Sequence, residues 1–131
     1  MPKLKNISGG LLAGILGGMF IDLVYIEFAG PSALFTLIGL TDRLAIFWSH
    51  AALGGILGMI FSLIIMRWSR PNVWLMGVSY GLACLGFLGA VPSLVAHFPM
   101  TPQTAMFGFF VWIVFGLILA EATQNFKRQY G

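Results

Sequence analysis

The chain has 131 residues, of which 59% are hydrophobic and 8% are charged, and its formal net charge is +3. So apolar a composition, with a mean hydropathy of +0.94, excludes an ordinary soluble domain. The pI of about 9.4 does not indicate a nucleic-acid partner, because the basic residues are spread over the junctions between apolar segments. Residues 1–131 are expected to form one transmembrane domain.

Four apolar runs predict membrane-spanning helices. They cover about residues 7–28, 44–66, 72–96 and 104–122. Each is long enough to cross a hydrocarbon core about 30 Å thick at about 1.5 Å per helical residue. Because a backbone in lipid must satisfy its hydrogen bonds internally, these runs are expected to be helical. The sequence therefore predicts an all-α fold, a polytopic membrane protein with a bundle of four transmembrane helices.

The basic residues predict the orientation of this bundle. Arg43 alone lies between the first and second runs, whereas the other six basic residues occupy the opposite side: Lys3, Lys5, Arg67, Arg70, Lys127 and Arg128. Basic residues are retained on the cytoplasmic side of a membrane. Both termini are therefore expected in the cytoplasm.

Two segments are expected to depart from straight transmembrane helices. The stretch from Gly30 to Leu40 is too apolar for a free loop and too short to span, which predicts a short helix lying in the outer interface. Pro92 lies inside the third run. Because proline removes the hydrogen bond to the carbonyl four residues earlier, a kink is predicted there.

Small residues at four-residue spacing mark one face of each of the first two spans. Residues four apart share a helix face, and small residues there allow two helices to approach closely. Laid antiparallel, the two stripes match position by position, which predicts that Asp22 meets His50. The first stripe is Gly10, Gly14, Gly18 and Asp22, and the second, in chain order, is His50, Gly54, Gly58 and Ser62.

Asp22 and His50 allow two interpretations. An ionised side chain within a membrane costs at least about 2.5–3.5 kcal/mol, so it needs a partner or a purpose. The simpler interpretation is an interhelical hydrogen bond that sets the register of the two helices. The alternative is a site that handles a proton or cation, to which Glu27 at the end of the first span would contribute.

Histidines and carboxylates are also possible ligands for a metal ion, a haem or a chlorin. The candidate ligand residues are His50 and His97. However, no pair of histidines, cysteines or carboxylates has a metal-binding spacing, and no catalytic motif occurs in the sequence. The expectation is that the protein is not an enzyme and that it carries no cofactor.

The fourth span carries more aromatic residues than one helix face can hold. We therefore expect some of them to contact lipid or another subunit, and the set comprises Phe107, Phe109, Phe110, Trp112 and Phe115. The leading functional hypothesis is an accessory or structural subunit, or a homo-oligomer, that associates with other membrane helices. Proton or cation transport and cofactor binding are the alternatives.

Several short motifs resemble those of small prokaryotic four-helix membrane proteins, including the YagU-type inner-membrane proteins. Shared positions are Ala13-Gly14, Trp48-Ser49-His50 with Gly54 and Gly58, Gly77-Val78-Ser79-Tyr80-Gly81 followed by Pro92, and Phe110-Val111-Trp112 with Gly116. The resemblance covers most of the chain and implies a location in a prokaryotic plasma membrane. It implies no catalytic residues, and this chain lacks much of the long outer segment of those proteins.

Overall fold

The computed structural model describes the backbone of residues 2–29, 38–67, 72–95 and 102–130, and the side chains of residues 7–24, 38–67, 72–95, 102–103 and 105–124. The elements are α1 (Pro2–Ala29), α2 (Arg43–Arg67), α3 (Val73–Leu85), a π-helical turn (Gly86–Ala90), α4 (Val91–Val95) and α5 (Pro102–Tyr130). The π-helical turn joins α3 to α4 without a break, so Val73–Val95 forms a single span.

In the described part of the chain, four helices are long and apolar enough to cross a membrane. Their membrane-length parts are Ile7–Val24, Arg43–Arg67, Val73–Val95 and Ala105–Gln124. For these residues the prediction of an all-helical fold with four such helices is confirmed, and it is consistent with an integral membrane protein. The predicted interfacial helix falls largely outside the described residues, apart from a turn at 38–39 in which Gly39 has a φ of +74°.

Glycines bring α1 and α2 into backbone contact. A Cβ atom added to Gly14 would overlap the carbonyl oxygen of Gly54, and one added to Gly58 would overlap the carbonyl oxygen of Gly10. At the end of the stripe near Asp22, Gly18 lies against the carbonyl of His50. Any side chain at these positions would push the helices apart, so the small-residue spacing is what permits the contact.

A second glycine contact joins α3 to α5. Gly77 lies against the carbonyl oxygen of Gly116, and Gly81 lies against the carbonyl oxygen of Trp112. Between α1 and α5 the contact is different, because the ring of Phe115 occupies the space beside Gly17 that a side chain would fill. Helix α1 therefore packs between α2 and α5, and α5 packs between α1 and α3.

Tyr80 connects α3 to α2. Its hydroxyl donates a hydrogen bond to the carbonyl of Leu57 at 2.6 Å, and its ring lies 5.2 Å from that of Phe61. Phe61 is fully buried in the core together with Val111, Phe115 and Leu119 of α5. Of the aromatic residues predicted to crowd the fourth span, Phe115 belongs to this core, whereas Phe109 and Phe110 are exposed.

The third span changes its hydrogen bonding just before Pro92. The N–H of Val91 donates to the carbonyl of Gly86, five residues earlier, and the hydroxyl of Ser93 donates to the carbonyl of Gly89 at 2.7 Å. Pro92 itself is buried and has no N–H to donate. Just before Pro92, where the sequence predicted a kink, the structure has a π-helical turn, the single-turn form in which π-helix mostly occurs inside α-helices.

The close approach of α1 and α2 predicts a difference between two glycine-to-alanine substitutions. Gly14→Ala is expected to lower the free energy of unfolding by about 1–3 kcal/mol, because the new methyl group overlaps the backbone of Gly54. Gly86→Ala is the matched control, since a Cβ there meets no atom within 4 Å. Reversible unfolding in mixed detergent micelles measures both, and equal effects would contradict the packing described above.

Candidate functional site

A cluster of three charged or polar side chains, Asp22, Arg43 and His50, lies between α1 and α2. Asp22 belongs to α1, whereas Arg43 begins α2 and His50 lies two turns further along it. The side chain of Asp22 is fully buried and that of His50 is 10% exposed, whereas that of Arg43 is 47% exposed. The cluster therefore runs from the interior of the bundle to its surface.

His50 binds one oxygen of the Asp22 carboxylate. Its Nδ1 atom lies 2.8 Å from Oδ1 of Asp22 and 3.1 Å from the carbonyl oxygen of Ile46, one turn earlier on α2. A carbonyl and an ionised carboxylate only accept hydrogen bonds, so Nδ1 must carry the hydrogen in both contacts. The two acceptors thus require a hydrogen on Nδ1 of His50 and hold its ring against α1.

Arg43 approaches the other oxygen of the carboxylate. Its Nη2 atom lies 2.7 Å from Oδ2 of Asp22. Oδ2 is buried and accepts no well-aligned hydrogen bond from the described residues, so the contact is an ion pair set by distance and charge. The guanidinium supplies the opposite charge that a buried carboxylate needs, since an isolated charge in an apolar interior is very costly.

The structure brings together the predicted pair Asp22 and His50. It also brings in Arg43, whose only predicted significance was the orientation of the helices across the membrane. One signal was available in the sequence. His50 follows Arg43 by seven residues, and residues seven apart lie on the same helix face two turns from each other. Applying that spacing to the second span would have placed Arg43 on the face that carries His50.

Two other predicted site residues cannot be placed. The backbone of Glu27 continues α1 beyond Asp22, but its side chain lies outside the described residues, and so does the whole of His97. The small residues of the two stripes, Gly10 and Ser62 included, form the contact between α1 and α2. Their part in the cluster is to bring the two helix backbones close enough for Asp22 and His50 to meet.

The cluster does not have the character of a metal site. Among the described residues, no group of three or more histidine, cysteine, aspartate or glutamate side chains is close enough to hold a metal ion. In addition, the guanidinium of Arg43 lies on Oδ2 of Asp22, where it competes with any cation for the carboxylate. Cys84 is buried on α3. That helix packs mainly on α5, whereas the Asp22 cluster lies between α1 and α2. A metal, haem or chlorin site at His50 and His97 stays a prediction from the sequence.

Comparison with known proteins yields no matching family model, no similar curated protein and no similar solved structure. The resemblance to YagU-type proteins therefore also stays a prediction from short motifs.

Two substitutions at Asp22 should separate hydrogen bonding from charge. Asp22→Leu is expected to lower the free energy of unfolding by about 3 kcal/mol, because it removes an acceptor of the Nδ1 hydrogen and the counterion of Arg43. Asp22→Asn retains an oxygen that accepts from His50, so its effect should be clearly smaller.

Detergent-induced unfolding of the two variants and the unsubstituted protein provides the measurement. A matched control is Asp42→Asn, which removes an exposed carboxylate next to Arg43 without touching the buried contact. If Asp22→Leu were as stable as the unsubstituted protein, the cluster would not tie α1 to α2.

Proposed function

We propose that this chain is a small integral membrane protein that acts as an accessory or structural subunit, or as a homo-oligomer, by contacting other membrane helices. The observation that carries this proposal is the uneven burial of its four spans. Within an 18-residue apolar segment of the third span 17% of the residues are buried, against 39–44% in the corresponding segments of the other three. Because so few of its residues are buried, the third span exposes a large surface that a neighbouring membrane helix can contact.

The candidate contact surface is the exposed part of the π-helical turn, α4 and the first turns of α5. The third span and α5 run antiparallel, because Gly77, Gly81 and Leu85 lie in turn against Gly116, Trp112 and Gly108. The segments that follow Leu85 and those that precede Gly108 therefore lie at the same end of the bundle. The surface consists of large apolar side chains that are 52–76% exposed: Phe87, Leu94, Val95, Met106, Phe109 and Phe110. Large aromatic residues of this kind are enriched where proteins bind one another.

The cluster around Asp22 fits a structural role within this proposal. Its carboxylate already has an imidazole on one oxygen and a guanidinium on the other. Such an arrangement ties two helices together and fixes their register. The geometry gives less support to proton or cation transport, because Arg43 occupies the side of the carboxylate that faces the surface of the bundle.

The proposal places the protein in a prokaryotic plasma membrane with both termini in the cytoplasm. Six of the seven basic residues lie on the side of the termini. The seventh, Arg43, is the ion-pair partner of Asp22 and therefore has a structural reason to lie on the other side.

Site-specific photo-cross-linking in the native membrane tests the proposed contact surface. A photoreactive phenylalanine analogue at Phe110 is expected to cross-link to a protein, and the mass of the product distinguishes a second copy of this chain from another subunit. The same analogue at Trp48 on α2 is the matched control, because Trp48 and Phe110 are 57% and 59% exposed. The expected result is a protein adduct at Phe110 and lipid adducts alone at Trp48. Lipid adducts alone at both positions would contradict the proposal.

A further inference from the structure

An open depression lies at the N-terminal end of α2, directly outside the Asp22 cluster. It has a volume of about 430 Å³ and is lined by Asp42, Arg43, Leu44 and Phe47. Its described lining residues are one acidic, one basic and two apolar residues within six consecutive positions. Charged and apolar side chains occur together in this way at the level of the membrane where lipid headgroups meet acyl chains.

The charges around the depression do not cancel. Arg43 pairs with the buried carboxylate of Asp22 at 2.7 Å, so its charge is balanced from within the bundle. Asp42 is exposed and lines the same depression, so it adds a second carboxylate. Among the described residues at this end of α2, two carboxylates and one guanidinium therefore leave a net charge of −1 when the imidazole of His50 is neutral. The depression therefore favours a group that brings a positive charge, and it disfavours a purely anionic one.

Arg43 nevertheless keeps donors for an anionic group. A guanidinium has five N–H donors, and the nitrogen of Arg43 that lies 2.7 Å from Oδ2 of Asp22 is Nη2. The side chain is 47% exposed, so the remaining donors are accessible from the depression. A phosphate accepts hydrogen bonds from such donors readily.

Apolar side chains continue from the depression along α2. Leu44 is 64% exposed and Trp48 is 57% exposed, and the ring of Phe47 packs edge-to-face on that of Trp48 at 5.3 Å. A tryptophan at this level is typical of the membrane interface, where its ring lies beside headgroups and the upper part of acyl chains. The ligand of the depression should therefore have an apolar tail attached to its charged head.

We propose that this depression binds a phospholipid whose headgroup carries both a primary ammonium and a phosphate. The ammonium lies against the carboxylate of Asp42, the phosphate accepts hydrogen bonds from the outward-facing N–H groups of Arg43, and an acyl chain runs along Leu44 and Trp48. The proposal rests on membrane insertion but not on the role as a subunit, so its failure would leave the cross-linking result at Phe110 unaffected.

Lipid retention in native mass spectrometry tests the proposal. The protein is reconstituted in vesicles of equal parts phosphatidylethanolamine and phosphatidylglycerol with identical acyl chains, and is then released in mild detergent. The expected result is retention of phosphatidylethanolamine over phosphatidylglycerol by about fivefold, the ratio that one exposed charge pair supplies. Equal retention, a preference for phosphatidylglycerol, or no retained lipid would overturn the proposal.

Two variants locate the site. Asp42→Asn is expected to abolish the preference, and it should fold normally because asparagine is as good as aspartate at the residue preceding a helix. Glu121→Gln removes one exposed carboxylate from α5, far along the chain from the depression, and should leave the preference unchanged. If the preference survived Asp42→Asn, or disappeared equally in Glu121→Gln, the headgroup would not be recognised in this depression.

Discussion

The burial of the Asp22 carboxylate is the constraint on which the arrangement of the first two helices depends. A fully buried carboxylate inside an apolar bundle must be neutralised and hydrogen-bonded, and only α2 supplies both kinds of partner among the described residues. Arg43 and His50 are seven residues apart on that helix and reach the two carboxylate oxygens from one face. A shift of α2 along α1 by one turn would leave the charge without these partners, so the contact specifies a single register.

Glycine makes that contact geometrically possible. Along the α1–α2 interface the backbones are so close that carbonyl oxygens occupy the positions where Cβ atoms would lie, at Gly14 and Gly58 among others. Packing in lipid lacks the hydrophobic effect between helices, and close van der Waals contact takes its place. The same device joins α3 to α5 at Gly77 and Gly116. Two tightly joined helix pairs result, and the contact of α1 with α5 and the hydrogen bond of Tyr80 hold them together.

Much of this arrangement could be predicted from the sequence, and the contacts that could not be predicted have physical reasons. Four-residue spacing of small residues predicted which faces of the first two spans meet, because a helix repeats its faces at that interval. Small residues also recur in the third span, at Gly77 and Gly81, and in the fourth, at Gly108 and Gly116, but their spacing alone does not show which helix each face contacts. The ion pair of Arg43 with Asp22 was not predicted, because the orientation of the helices across the membrane already accounted for a basic residue at the membrane surface. The π-helical turn was not predicted either, because a proline indicates a disturbed helix without specifying the form.

The position of the ring hydrogen on His50, measured in the unsubstituted protein, tests most directly whether Asp22 and His50 bind one another between α1 and α2. The protein contains two histidines, and nitrogen NMR of ¹⁵N-histidine-labelled protein in lipid nanodiscs distinguishes protonated from unprotonated ring nitrogens. A His50→Gln variant assigns the signals. At neutral pH, His50 is expected to carry its hydrogen on Nδ1, because both neighbours of Nδ1, Asp22 and the carbonyl of Ile46, are acceptors. A neutral imidazole with its hydrogen on Nε2 would contradict it.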